Sequence, residues 1–442
     1  MATPIKNIVF IALMAFPGFA HSETSFQDVW SKIRSNSPLP EAARLQQEAV
    51  SEGQQRASRH WLPKVYLDAR SYNTNDPGSS LFGLLSQREI KQTDFIPDNL
   101  NNPDSQTFTR GALGLDLALY EGGMKSNQVD MFEHSLKSQQ HVSSQVETEL
   151  YAKVGQLYGS ISVVNAQIEK LQAIDLEISK LIRNYQIGQK SNPVGYSGLL
   201  GMKSLSNRIS GLIEQYQSQQ KAFSRSLFAM GWDQESWSPQ KMGSTTFVEK
   251  FLSSSAGKAE SAKLKAGYEG AKAASEMAEM ERARYLPRVG AFAESYVFNG
   301  TRGTANGYTA GLYLQWNLFD AADFGKYKEA KINAMASEKM TQAMAQQEEA
   351  EYFAAQEADR AMRANLKLLE NSDKLLNEQM QVATTLFKNG SISALQLVEI
   401  LNRRTDLISQ QGDLQLGLIK NASESVTKTA FQIPFQGNGE RK

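Results

Sequence analysis

The sequence predicts a mainly α fold with a β-barrel portion, built from one helix, strand, strand, helical-hairpin unit used twice. Three observations carry this. At an offset of about 199 residues, Leu113, Leu115, Leu117 and Leu119 meet Leu312, Leu314, Trp316 and Leu318, each set followed by a small-residue turn, Gly122-Gly123 or Ala321-Ala322. Upstream, Trp61-Leu62-Pro63-Lys64-Val65 is answered by Tyr285-Leu286-Pro287-Arg288-Val289. After each small-residue turn comes a very long Pro-free stretch whose apolar residues recur at helical spacing. A repeat of this kind argues for one duplicated unit in place of the two or three domains that length alone suggests.

Taken in order, residues 1–22 carry Lys6, an apolar run over 8–16 and small residues before two cleavage points, after Ala20 or Ser22. This is expected to be a secretory signal, too short to span a bilayer as a helix. Residues 23–232 form the first repeat, with a strand pair over about 64–119 and a helical hairpin over about 124–230 whose tip lies near Gly188. Residues 233–430 form the second, with strands over about 288–318 and a hairpin over about 324–429 whose tip lies near Gly390. Residues 431–442 are expected to be a disordered tail.

The hairpins are read from their stripes. Leu150, Val154, Leu157, Ile161, Val164, Ile168 and Leu171 fall in alternating steps of four and three, the 3.5-residue period of coiled-coil packing. Met362, Leu366, Leu369, Leu376, Met380, Ala383 and Phe387 repeat the pattern before Asn389-Gly390 breaks it. At about 1.5 Å per residue, some 60 residues of helix would run roughly 90 Å, far beyond an ordinary globular helix.

The strands are clearest on their return legs. Leu113, Leu115 and Leu117 alternate with Gly114 and Asp116, and Leu312, Leu314 and Trp316 alternate with Tyr313 and Gln315. Strict alternation gives one greasy and one polar face, as where lipid meets a wet lumen, although a half-buried strand in a soluble sandwich reads the same. The connection within the first strand pair, about 73–106, is some 25 residues longer than that of the second, about 299–306. A connection of that length is functional or mobile as a rule.

Composition excludes several functions. The 442 residues hold 47 basic and 47 acidic side chains, so no global field recruits nucleic acid. There is no Cys, which removes disulfides, thiolate zinc, thiol catalysis and a lipid-modified N-terminal Cys. His134 and His141 are seven residues apart, too far for a one-turn helical metal pair, and Gly300, Gly303 and Gly307 lack the Lys-Ser/Thr of a phosphate loop. No cofactor, metal or catalytic constellation is indicated, and the acidic patch Glu348, Glu349, Glu351, Glu357 and Asp359 reads as a wet helix face.

Four strands with a lipid-facing side would leave two unpaired edges in hydrocarbon, and membrane barrels begin at about eight strands. Several chains would therefore have to share one barrel.

The order of these parts resembles the TolC-type outer-membrane efflux and secretion channels, over about residues 24–430. The most specific pieces are the paired Leu-Pro junctions, Trp316-Asn317-Leu318-Phe319-Asp320, and Leu386-Phe387-Lys388-Asn389-Gly390-Ser391-Ile392-Ser393-Ala394-Leu395-Gln396-Leu397-Val398-Glu399. The resemblance implies a homotrimer in the outer membrane, with a 12-stranded barrel continued by a 12-helix periplasmic tunnel. It implies a periplasmic adaptor docking at the tips, Gly188 and Gly390, and an inner-membrane pump of the RND or ABC type. It also implies lipid contact by Leu113, Leu115, Leu117, Leu312, Leu314 and Trp316, and a pore constriction at Gln396 and Glu399, carried over by distance from Gly390. Gln396 departs from the acid expected there, and Ile392 stands where a basic residue links neighbouring helices. The alternative is a soluble periplasmic coiled-coil adaptor or scaffold whose strands form a small sandwich.

Overall fold

The computed structural model describes residues 23–184, 193–234, 236–253 and 260–434. The expected signal segment, the tip at Gly188 and residues 435–442 lie outside them. In chain order the elements are β1 (Glu23–Thr24), α1 (Phe26–Asn36), α2 (Pro38–Ser58), β2 (Lys64–Thr74), α3 (Pro77–Ser86), a 3-10 turn (Gln92–Phe95), α4 (Pro97–Asn101), β3 (Gln106–Glu121), α5 (Met124–Asn184) and α6 (Pro193–Ala229). The second half continues with β4 (Ser238–Pro239), α7 (Ser244–Phe251), α8 (Ala262–Ala283), β5 (Arg288–Asn299), β6 (Thr304–Gln315), α9 (Lys326–Lys388) and α10 (Ala394–Val426).

Local chemistry sets the boundaries. Ser25 caps α1 by accepting from the Asp28 N–H, and Ser261 caps α8 by accepting from the Leu264 N–H at 2.9 Å. The helix α9 ends in a Schellman motif: Gly390 takes φ 73°, the Ser391 N–H reaches the Leu386 carbonyl at 2.8 Å and the Gly390 N–H that of Phe387 at 3.0 Å. Gly231, at φ 112°, closes α6 the same way onto Leu227 and Phe228. At the small-residue turn, Gly122 has φ 66°, and a Cβ there would lie 2.8 Å from the Ala283 carbonyl oxygen, so the close approach requires glycine.

The chain divides into two compact units. One contains Leu39–Val146 and Glu260–Ala350 and holds the sheet. Its order is β2-β3-β5-β6, every neighbour antiparallel, so the two strand pairs are joined by β3 against β5 and the outer strands β2 and β6 have free edges. A bulge between Ala118 and Tyr120 takes Leu119 out of the alternation. The strand expected to reach residue 318 ends at Gln315, leaving Trp316 just beyond it, where its indole N–H donates to the Tyr285 carbonyl at 3.1 Å. That bond ties the strand end to the second Leu-Pro junction.

The other unit contains, of the described residues, 23–38, 147–184, 193–234, 236–253 and 351–434. Here the stripe on α5 is core: Leu150, Val154, Leu157, Ile161, Val164 and Leu171 are all buried, with Ile168 packed beside them. The short elements wrap this stripe. Phe26 of α1 sits edge-on to Tyr151 and Tyr158 of α5 and to Phe247 of α7, at 5.4 to 5.5 Å between ring centroids. Tyr158 donates to the Thr24 carbonyl and accepts from the Gln240 N–H; burial pushes its phenol up to about 12. The expected tail begins inside this core, because Ile433 is buried and Phe431 packs on Tyr151 at 5.4 Å.

Candidate functional site

The sheet has two chemically distinct faces, fixed by register. Val65, Leu115, Ala293 and Ala310 align across the four strands, as do Leu67, Leu113, Ser295 and Tyr308, and Leu117, Ala291 and Leu312. This aliphatic face is open: Leu312 is 74% and Leu314 68% exposed, Leu113 and Leu115 are exposed, and Leu117 is half-buried. Trp316 is exposed beyond the end of β6. Among the described residues of this unit no second sheet covers these side chains, as the sandwich alternative requires.

The opposite face is polar, as the alternation of Gly114, Asp116, Tyr313 and Gln315 predicts, and it adds Asp68, Arg110 and Glu294, which no sequence pattern marks. Arg110 pairs with Glu294 across β3 and β5 and lies 3.7 Å from Asp68 on β2, while Tyr66 and Tyr313 donate to Glu294 and Asp116 at 3.4 and 3.3 Å. Tyr66, Tyr313 and Tyr296 lie flat over Gly114, Gly290 and Gly307, where an added Cβ would come within 2.2 to 2.6 Å of a ring. Glycine under an aromatic lets the ring cover backbone instead of standing out from the sheet. The signal was available for Gly114, which stands between Leu113 and Leu115, but only cross-strand register shows which ring each glycine meets.

At the second tip, Gln396 is engaged in a capping box: its side chain accepts from the Ser393 N–H at 2.8 Å, and the Ser393 hydroxyl accepts from the Gln396 N–H. Glu399, one turn further along, is exposed and accepts from Arg403 at 3.0 Å. Nearby, Arg208 on α6 donates to Asn402 at 3.2 Å and pairs with Asp406, tying α6 to α10. Ile392 packs on the core of this region and takes no part in a polar link. Gln396 therefore shapes the helix start, and the Glu399 charge is matched by a cation on its own helix.

The helix α9 carries two apolar seams. Leu366, Met380 and Ala383 are buried in the core of the chain, with Met362, Leu376 and Phe387 packed beside them or half-buried. Leu368, Leu375 and Val382, one heptad apart, are 63%, 66% and 60% exposed. The heptad spacing of this open seam is the spacing that helix-on-helix packing uses.

Solved structures sharing this arrangement decide the architecture. The fold is that of the outer-membrane channels. The chain is similar to the transmembrane channel protein CusC, with a TM-score of 0.75 and 12% identity over 92% of this chain and 93% of that one. It is similar to the outer membrane protein VceC of Vibrio cholerae, with a TM-score of 0.73 and 12% identity over 92% and 97% of the two chains. It is also similar to the outer membrane channel CmeC of Campylobacter jejuni, with a TM-score of 0.74 and 11% identity over 98% and 94%. No family model and no curated protein matches the sequence. The channel fold is thus shared at an identity so low that the pattern of elements, and little of the individual residues, is what the chains have in common.

Proposed function

We propose that this chain is the outer-membrane exit duct of a tripartite efflux pump or type I secretion system. It is a passive conduit for small molecules or polypeptides, set in the outer membrane and reaching into the periplasm. The observation that carries this reading is the four-stranded sheet with an open aliphatic face and free edges on β2 and β6. Hydrocarbon does not tolerate unpaired backbone, so β6 of one chain pairs with β2 of the next until the ring closes. Three copies give twelve strands, and the open seam Leu368, Leu375 and Val382 supplies the matching contact between helices.

In this reading Leu113, Leu115, Leu117, Leu312 and Leu314 meet lipid, Trp316 lies at the periplasmic water boundary, and the Arg110, Glu294 and Asp68 face lines the lumen. The tip at Gly390 contacts a periplasmic adaptor, which couples the duct to an inner-membrane transporter of the RND or ABC type, and Glu399 lines the narrow end. Function requires no cofactor and no reaction at the duct, since energy enters through the transporter.

The deciding experiment is extraction of the mature chain from outer membranes, with its protein mass determined by light scattering after detergent subtraction. A membrane-extracted trimer is the expected result. A periplasmic monomer that never needs detergent would sink the reading.

A further inference from the structure

The long connection between β2 and β3 is a folded object with a definite address. Asp76 accepts from the Ser79 N–H and starts α3, with Pro77 at its first turn. Ser80, Gly83, Leu84 and Gln87 recur at helical spacing and are all buried. Gly83 lies on the Phe108 ring, where an added Cβ would come within 2.5 Å. Phe108 is fully buried and packs on Tyr72 and Phe298 at 5.8 and 5.7 Å. By register Tyr72, Phe108 and Phe298 share the face of Arg110 and Glu294. The connection therefore covers the polar face of the sheet and leaves the aliphatic face free.

The tight turn between β5 and β6 holds it there. Arg302 grips Asp94 with two bonds of 2.6 and 2.7 Å and donates to the Glu89 carbonyl. Gln87 accepts from the N–H groups of Arg302 and Gly303, and Arg88 donates to the Asn306 carbonyl. Away from the sheet, the same connection shows Phe82, Leu85, Phe95 and Ile96 to solvent, and α3 contains no charged residue.

Resting on the trimeric duct reading, we propose that this segment is a lid at the outer mouth, in which Phe82 and Leu85 of three copies meet around the axis and close the lumen. On a luminal wall, "away from the sheet" means toward the axis, and symmetry brings identical patches together there. The lid also leaves directly from Thr74, the end of β2, the free-edge strand that the neighbouring copy pairs in that reading. A second copy is thus the partner within reach, and an uncharged patch suits self-contact.

The test uses the full chain, whose lack of Cys makes introduced thiols unambiguous. Phe82→Cys trimers in detergent should form disulfide-linked chains on mild oxidation, while Tyr308→Cys, on the aliphatic face, should not. Thr309 lies on the polar face, deeper along β6 than Ala305, the partner of Phe298. Thr309→Cys in whole cells should react slowly with a bulky, impermeant maleimide, and adding Phe82→Ser and Leu85→Ser should speed labelling by about tenfold or more. Both results together support the lid. A trimer by mass in which Phe82→Cys stays unlinked, or in which labelling of Thr309→Cys is unchanged by the serine pair, overturns the lid and leaves the duct standing. A protein without trimers overturns the duct and the lid with it.

Discussion

The two longest helices, α5 and α9, hold equivalent places in the two repeats and end in different chemical situations. The stripe of α5 is sealed within its own chain, under α1 and α7 and their aromatic side chains, whereas α9 seals one seam and leaves Leu368, Leu375 and Val382 open. Duplication supplied two equivalent helices, and the short elements wrapping α5 made them inequivalent. The comparison teaches that α5 is a folding element, and that α9, on the trimeric duct reading proposed above, serves both folding and assembly. Substitutions on the two should separate those roles.

The largest effect is expected on α5. Leu157→Ala removes a buried side chain from the central cluster and should cost about 2 to 5 kcal/mol. The loss should appear as a lower unfolding midpoint of the chain, whatever its oligomeric state. If the midpoint does not move, the sealed half of the comparison breaks. A charge on the sheet comes next: Leu312→Arg should oppose membrane insertion by about 2 to 4 kcal/mol near mid-bilayer, read as loss of protein from the outer-membrane fraction. Normal insertion would mean that the aliphatic face is covered by protein.

Leu375→Glu on the open seam of α9 should leave the folded chain intact and weaken the trimer. We expect a shift of detergent-subtracted mass toward monomer on dilution, at a cost of about 1 to 3 kcal/mol per interface. A collapse of the fold instead would erase the distinction between the helices.

The clasp on the first strand connection gives a smaller, pH-dependent effect. Hydrogen bonds from Arg302, then from the Lys91 N–H, hold the Asp94 carboxyl at about 2, well below its ordinary 3.8. A depressed carboxylate contributes stability above its unfolded value and loses it as pH falls through the folded one, so the clasp holds at neutral pH and weakens between about pH 4 and pH 2. Proteolysis within residues 77–104 should accelerate over that window, and Asp94→Asn should show the faster rate already at pH 7.

The smallest effect is expected at Glu399. Its exposed pair with Arg403 contributes about 0 to 1 kcal/mol to stability, so Glu399→Gln should leave folding unchanged. It should nevertheless move single-channel selectivity toward anions, because Arg403 is then unmatched. Unchanged selectivity would remove Glu399 from the narrow end of the pore.

How much of this was legible in the sequence varies by element. The stripe on α5 was legible because a 3.5-residue period states burial directly, and Gly390 announced its helix end because few other residues reach φ 73° without strain. The seam at Leu368, Leu375 and Val382 went unread, since in one dimension its residues interleave with the buried set and differ only by which neighbour is present. The resemblance places Gln396 at the pore constriction by its distance from Gly390, while the bond of its side chain to the Ser393 N–H at the helix start is visible only once the helix boundary is known. Trp316 read as strand because alternation continued past Gln315, where the bond to Tyr285 had already taken over.

The sequence by itself determined the repeat, the order of the long helices and the strand pairs, the charge balance and the greasy face of the sheet. These follow from local periodicity and from where Gly and Pro permit the chain to turn. The tertiary structure alone decided what lay opposite what: that β3 joins β5 to merge two strand pairs into one sheet, that Arg110 meets Glu294, and that Arg302 reaches back to Asp94. Those contacts link residues some 170 to 210 positions apart. Their partners are chosen by register and packing across the whole chain, which no local pattern encodes.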